Sequence, residues 1–239
     1  DLSDAEAHRA LTPVLKDPIR SVRTEAARIL ARVPETLFSD SDLNLFHEVF
    51  EELKLRYTSN LDRPESHLSL GILAENRNQP MEAEKHYRQA IIREDTYVPA
   101  RMNLATLLSR RGRNQEAEKI LRQAVKLQPT WGQVHYSLGL LLAEDRKRLS
   151  EAIRSLERAS AYWSDNPRVF HNLAIAYWQS EKIDDAINAF LQAIRLQPTN
   201  PEFLQNLVQL LSQRGRWSEA LPHARNMVRL LPDNPQAQA

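Results

Sequence analysis

Residues 167–200 read PRVFHNLAIAYWQSEKIDDAINAFLQAIRLQPTN, two helices and the turn between them in one line. Asn166-Pro167 opens the first as an N-cap followed by proline at the first helical position, where the missing N–H has no helical acceptor to lose. Leu173 and Ala174, then Ala186, Phe190 and Ala193, set leucine, aromatic and small residues on apolar stripes at helical spacing. Pro198 closes the second helix. The stretch is one copy of several. Pro64, Val98, Gly132, Pro167 and Pro201 start five units at spacings of 34, 34, 35 and 34 residues, the extra residue falling in the turn at 145–149. A fixed period of this length marks a helical-repeat architecture.

The seventh residue of each unit is Leu70, Leu104, Leu138, Leu173 and Leu207, and the eighth is Gly71, Ala105, Gly139, Ala174 and Val208. Ala83, Ala117, Ala152, Ala186 and Ala220 follow, and seven residues later stand Ala90, Ala124, Ala159, Ala193 and Met227. Small residues at these places let two antiparallel helices approach closely. Tyr87, Leu121, Leu156 and Phe190 fill the space between them. Gly112 and Gly215 fall in the inter-helix turn, where glycine adopts a positive φ without penalty. Pro129, Pro198 and Pro232 close three of the units.

These units resemble the tetratricopeptide repeat, with boundaries 64–97, 98–131, 132–166, 167–200 and 201–234. The aromatic expected at the fourth position is present only as Phe170, and the first unit ends in Asp95 rather than proline. The resemblance implies an all-α fold, a right-handed α-solenoid of five helix pairs whose first helices line a concave groove.

Residues 1–63 have a different pattern. The run from Leu11 to Leu30, with Asp17-Pro18, Val22-Arg23 and Ala26-Ala27, resembles one HEAT-type unit, in which Asp-Pro marks the turn. Ser39-Asp-Ser-Asp42 is a capping cluster for a helix over about 42–57, and Leu43, Phe46, Val49, Phe50 and Leu53 give it an amphipathic face. Such a block is expected to seal the first face of the solenoid. The order of HEAT-like pair, linking helix and tetratricopeptide units resembles the carboxy-terminal region of bacterial multihaem c-type cytochromes that end in these repeats. That resemblance implies a larger electron-transfer parent and a periplasmic or extracellular setting, and it lends this chain no activity. The chain starts at Asp1 rather than Met, which reads as a piece of something longer.

Composition narrows the function. The 5 glycines stand against about 17 at an average usage near 7%, which excludes a glycine-rich nucleotide loop. Net charge is +1, from 32 Lys+Arg against 31 Asp+Glu, without the basic excess that phosphate contacts require of a nucleic-acid binder. With no cysteine, disulfides, thiolate metal sites and CxxCH haem attachment are ruled out within the chain. No apolar run approaches the roughly 20 residues of a membrane span.

Chemistry-bearing motifs are absent. The seven histidines form neither HExxH nor an i,i+4 pair. His67, His135 and His171 recur on successive first helices, where packing distances of about 10 Å separate them too far for shared metal coordination; they read as buried interhelical residues. Glu82, Glu116, Glu151, Asp185 and Glu219 each precede an alanine on the first turn of a second helix, favouring the positive end of its dipole. No GxSxG, P-loop or GxGxxG occurs. The expectation is a non-catalytic protein without metal or cofactor. Basic clusters at Arg110-Arg111-Gly-Arg113, Arg146-Lys147-Arg148 and Arg214-Gly-Arg216 mark inter-helix turns, as solvated caps or as an edge for an acidic partner.

The tetratricopeptide resemblance places a peptide groove on positions two, five, six, nine, twelve and thirteen of the first helices. Position six reads Ser69, Asn103, Ser137, Asn172 and Asn206. An asparagine amide donates and accepts, so it pairs with an extended backbone whatever the side chains; equally, asparagine there bonds neighbouring helices. Met102, Tyr136, Arg168, His171 and Trp178 complete the expected groove, with the aromatics as its anchors. The lysine and asparagine of a carboxylate clamp are missing: Leu68 and Ile72, then Met102 and Thr106, stand in their places.

Two functional readings follow. One is a scaffold that binds an extended protein segment in the groove. The other is a structural module of a larger or polymeric assembly. The last repeat bears on the second: Pro235–Ala239 is too short and proline-broken for a capping helix, so Phe203, Leu210, Leu221 and Val228 are expected on an uncovered end face. That face would meet the rest of a longer chain or a second copy. A head-to-tail contact that does not close would build a filament.

Overall fold

The computed structural model describes residues 3–230, and all regular structure among them is helical. It divides into two compact units, Asp1–Arg110 and Arg111–Ala239.

The first unit opens with α1 (Asp4–Leu11), a 3-10 turn at Pro13–Lys16, α2 (Arg20–Leu30), a second 3-10 turn at Glu35–Leu37, and α3 (Asp40–Thr58). Ser3 caps α1 through a reciprocal capping box with Glu6, and Ser39 caps α3 by accepting from the Asp42 amide at 3.2 Å. The α3 helix is thus two residues longer at its start than the sequence suggests. Arg23 clamps α2 to α3: its Nε and Nη2 donate to the Glu52 carboxylate at 2.8 and 2.7 Å, and Nη1 donates to the Pro18 carbonyl at 3.0 Å. Ala7, Leu15, Ala27, Leu30, Phe46, Val49 and Leu53 form the core beneath.

Helices α4 (Pro64–Asn76), α5 (Pro80–Arg93) and α6 (Val98–Arg110) complete this unit. Leu73 of α4 belongs to the same core as Phe46 and Phe50, and the Arg77 guanidinium lies over both of their rings. The block before residue 63 and the first repeat therefore share one core rather than meeting at a domain boundary.

The second unit holds α7 (Asn114–Leu127), α8 (Gly132–Ala143), α9 (Leu149–Tyr162), α10 (Pro167–Gln179), α11 (Ile183–Leu196), α12 (Pro201–Gln213) and α13 (Trp217–Leu230). Each first helix starts at the first residue of a sequence unit. The repeated leucines and alanines are buried, and so are Tyr87, Leu121, Leu156 and Phe190, each burial contributing about 1.5–3 kcal/mol for the larger side chains. Gly71 and Gly139 sit where the paired helices touch: a Cβ on Gly139 would lie 2.7 Å from Leu156 Cγ, and one on Gly71 would collide with the Tyr87 ring.

The inter-helix turn uses one left-handed residue at the same repeat position: Asn78 (φ 54°), Gly112 (φ 74°), Glu181 (φ 58°) and Gly215 (φ 70°). The third repeat, with its inserted residue, replaces it by a 3-10 turn at Arg146–Arg148. Pro232 and the tail at 235–239 lie outside the described residues.

Candidate peptide groove

In the second unit α8, α10 and α12 present Ser137, Asn172 and Asn206, all half-buried. Asn172 Nδ2 donates to the Tyr136 hydroxyl at 2.6 Å, linking α10 to α8. Asn206 Nδ2 lies 2.8 Å from His171 Nε2, linking α12 to α10 and leaving the His171 proton on Nδ1. Ser137 Oγ donates to the Gln133 carbonyl of its own helix at 3.0 Å. Each asparagine keeps its side-chain carbonyl and a second N–H beyond these contacts, so the row both ties helices together and retains groups that an extended backbone can use.

Ile175, Trp178 and Asn206 line a hollow of about 430 Å³ with Gln179, Arg146 and Glu181. Trp178 is held edge-on against Phe190, ring centroids 6.3 Å apart. The hollow offers an apolar floor beside an amide and two opposite charges, which suits one apolar side chain and the backbone carrying it. Arg168 is exposed. In the sequence Arg146 stands out only as part of the basic run in the third repeat's turn, and Glu181 carries no signal.

His171 does not line the groove. It is 4% exposed, and its ring stacks on Phe203 with centroids 4.6 Å apart. Burial holds its pKa below the ordinary histidine value, so it is a neutral support for Asn206 rather than a contact for a ligand. His67 and His135 are likewise buried.

The end face needs the same correction. Phe203 is 1% exposed and Leu210 lies in the core with Leu173, Ala186 and Ala220. Positions three and ten of a first helix point back at the preceding pair, so the last repeat buries them without a successor. Val228 is partly buried beside Leu204 and Met227. Of the four expected residues only Leu221 is exposed, at 49%, and Trp217, one turn earlier on α13, is exposed at 65%.

In the first unit Asn103 of α6 is half-buried and hydrogen-bonds the Tyr87 hydroxyl, which donates to Glu75. Burial, with Glu75 beside it, pushes the Tyr87 pKa up. Asn103 lines a hollow of about 310 Å³ with Ile72, Glu75, Asn76, Thr106 and Arg110, more polar than that around Trp178. Ser69 and Met102 are half-buried nearby in the sequence repeat.

The basic turns are largely neutralised. Arg110 pairs with Glu75 at 3.2 Å, Arg113 with Glu116 at 2.7 Å and Arg216 with Asp184 and Glu219, both at 2.7 Å. Arg214 pairs with Glu181. Arg148 reaches Glu118 at 2.6 Å and Glu151 at 2.7 Å. Arg110, Arg148, Arg214 and Arg216 thus act as struts between successive turns, whereas Arg113 pairs within its own.

Among the described residues no three acidic or histidine side chains gather to hold a metal ion, and no helix is long and apolar enough to cross a membrane. Helix pairs of near-constant length, with amide-bearing first helices over a small-residue core, define a helical-repeat scaffold for contact with other proteins. A tetratricopeptide-repeat model matches residues 77–141, and a model of YpiA-like carboxy-terminal tetratricopeptide repeats matches 167–234. The chain is a tetratricopeptide-repeat protein.

Both matches lie beyond the block that ends at residue 63. No curated protein matches the chain. Among solved structures, MamA residues 41 to the end from Desulfovibrio magneticus RS-1 is similar, with a TM-score of 0.64 at 20% identity over 72% of this chain and 97% of that one. Another MamA structure gives 0.64 at 18% identity over 74% and 96%. YrrB, described as a TPR protein with an unusual peptide-binding site, gives 0.62 at 16% identity over 77% and 94%. At these identities the likeness establishes the fold.

Proposed function

We propose that the protein is a non-catalytic scaffold that binds an extended protein segment along α8, α10 and α12. The observation that carries this reading is the row of half-buried asparagines, Asn172 and Asn206, flanking the apolar hollow at Ile175 and Trp178. The amides would meet the segment's backbone and the hollow one apolar side chain. YrrB, of the same fold, has a peptide-binding site by its description. Asn103 supplies a similar amide within the first unit. Residues before 63 serve as a cap in this reading.

A peptide array read with the purified chain tests it. Peptides retained by the native chain should be lost by Asn172→Ala/Asn206→Ala and by Trp178→Ala. Undiminished binding by both variants rejects the groove. A second reading, end-on assembly as a module of a larger object, draws on exposed Trp217 and Leu221 of α13. It requires a concentration-dependent oligomer in light scattering that Leu221→Lys abolishes.

A further inference from the structure

Helices α7 and α9 border a second cleft, of about 700 Å³, that shares no residue with the hollow at Trp178. His135 and Leu138 of α8 lie at its floor, and Val125 adds apolar surface. Lys126 of α7 and Arg154 and Arg158 of α9 line it and are exposed; Glu151 and Glu157 line it too, the first tied to Arg122 and Arg148 and the second accepting from the Tyr177 hydroxyl at 2.7 Å. Among the described residues none of these three cations has a carboxylate partner. That sets them apart from the adjoining Arg122, which is tied to Glu118 and Glu151. Half-exposed Tyr162 stacks on His135 with centroids 5.9 Å apart, forming an aromatic wall at one end.

Two other units carry a cation in the place of Arg154 (Lys85 and Lys119) and two in the place of Lys126 (Arg195 and Arg229), but none carries one in the place of Arg158. Arg158 stands where the other units carry Gln89, Gln123, Gln192 and Asn226. Tyr162 stands where they carry Arg93, Leu127, Leu196 and Leu230. On the next pair of second helices, the places of Arg122 and Lys126 are taken by Glu157 and Ala161, and those of Arg154 and Arg158 by Asn188 and Gln192. The coincidence of all three cations is therefore particular to α7 and α9, while every core position around them follows the period.

We propose that this cleft binds an acidic peptide segment in which an apolar side chain lies between carboxylates. The apolar residue would cover Val125 and Leu138, and the flanking carboxylates would reach Lys126, Arg154 and Arg158. The volume falls within the range of about 300–1,000 Å³ typical of ligand sites. An isolated inorganic anion would engage the rim and leave the apolar floor wet, so an elongated partner complements the cleft better. Complementary charge of this kind also speeds encounter and makes it salt-dependent.

The test is fluorescence anisotropy of a labelled Glu-Leu-Glu-Glu-Leu-Glu peptide with the full chain, beside the analogue in which every Glu is Gln. Saturable binding of the acidic peptide, weakened by added salt and absent for the Gln analogue, is expected. The variant Lys126→Gln/Arg154→Asn/Arg158→Gln places side chains carried by other units at two of the three positions. It should keep the helical signal and melting temperature and bind about tenfold more weakly, the combined effect of three exposed charge contacts. Asn172→Ala/Asn206→Ala should bind this peptide like the native chain, which separates this cleft from the groove proposed above. Equal binding of the Gln analogue, unchanged affinity in the folded triple variant, loss of binding in the asparagine variant, or equally effective competition by inorganic phosphate each overturns the proposal.

Discussion

His67 Nδ1 stands 3.1 Å from His86 Nδ1, joining α4 to α5 inside the first unit. Only one of the two nitrogens can carry the proton between them. His86 Nε2 lies 3.3 Å from Glu82 Oε1, so His86 holds its proton on Nε2 and accepts at Nδ1 from His67. Burial holds both rings below the ordinary value of 6.5; at His67 Arg93 adds to this and a hydrogen bond to the Leu61 backbone opposes it, and Glu82 opposes it at His86.

Both rings are neutral when folded, whereas the unfolded chain takes up protons as pH falls through about 6.5. Their contribution to stability is therefore complete above that pH and is lost as pH falls toward the lower folded values. His86→Gln keeps an acceptor for His67 and removes one titrating group. Thermal melts from about pH 8 to pH 5.5 should show a flatter decline in the variant. His171 and His223 shift in the same direction, so the informative quantity is the change in slope; an unchanged slope contradicts the assignment.

Glu118 contributes to the acid sensitivity of the second unit, beside Glu151 and Glu219. Its carboxylate accepts from Arg148 at 2.6 and 2.8 Å and from Arg122 at 2.8 Å. The hydrogen bonds from Arg148, against some burial, hold its pKa down to about 2. The stabilisation is present above the ordinary carboxylate value and is lost as pH falls from about 4.5 toward 2. Glu118→Gln should cost about 1–3 kcal/mol at neutral pH after allowance for solvent screening. It should also flatten acid unfolding in that window, as followed by circular dichroism. A variant with the native acid profile removes Glu118 from this role.

The helix pairs were legible in the sequence because close approach leaves a chemical mark: Gly71, Gly139 and the repeated alanines can be small for one reason only. The end face was misread because the burial of Phe203 and Leu210 depends on what faces them. Val169 and Ala176, their counterparts one repeat earlier, are buried too, and both sets look back along the solenoid. Position six was legible as a row of amides, but not that Tyr136 and His171 would hold Asn172 and Asn206. The cleft at Lys126 and Arg158 was hidden because cations on a helix surface read as a solvated face until the facing helix is known. Its trace in the sequence is the departure of Arg158 and Tyr162 from the residues at equivalent repeat positions.

Two glycines separate packing from backbone strain. Gly139→Ala places a methyl group 2.7 Å from Leu156 Cγ and 3.3 Å from the Ala152 carbonyl oxygen, and should cost about 1–3 kcal/mol through overpacking. Gly112→Ala meets nothing within 4 Å but must hold φ at +74°, for about 1 kcal/mol. Leu156→Ala should recover part of the penalty when combined with Gly139→Ala and none when combined with Gly112→Ala, as read in denaturant titrations. Additive losses at Gly139 and Leu156 would mean that the contact is not the cause.

Phe203 and Leu221 occupy the last helix pair and should respond in opposite ways. Phe203 is fully buried between α12 and α10, stacked on His171, so Phe203→Ala opens a cavity and should cost about 3–5 kcal/mol. It also frees the His171 ring, loosening the Asn206 contact that depends on it. Leu221 has half its surface in water, so Leu221→Lys should change stability by no more than about 0.5 kcal/mol in the monomer. If light scattering shows that the native chain associates, the same substitution should weaken that association while Phe203→Ala acts through folding. Urea titrations of both variants decide the assignment: a large loss in Leu221→Lys at concentrations where the chain is monomeric would place that side chain in the core.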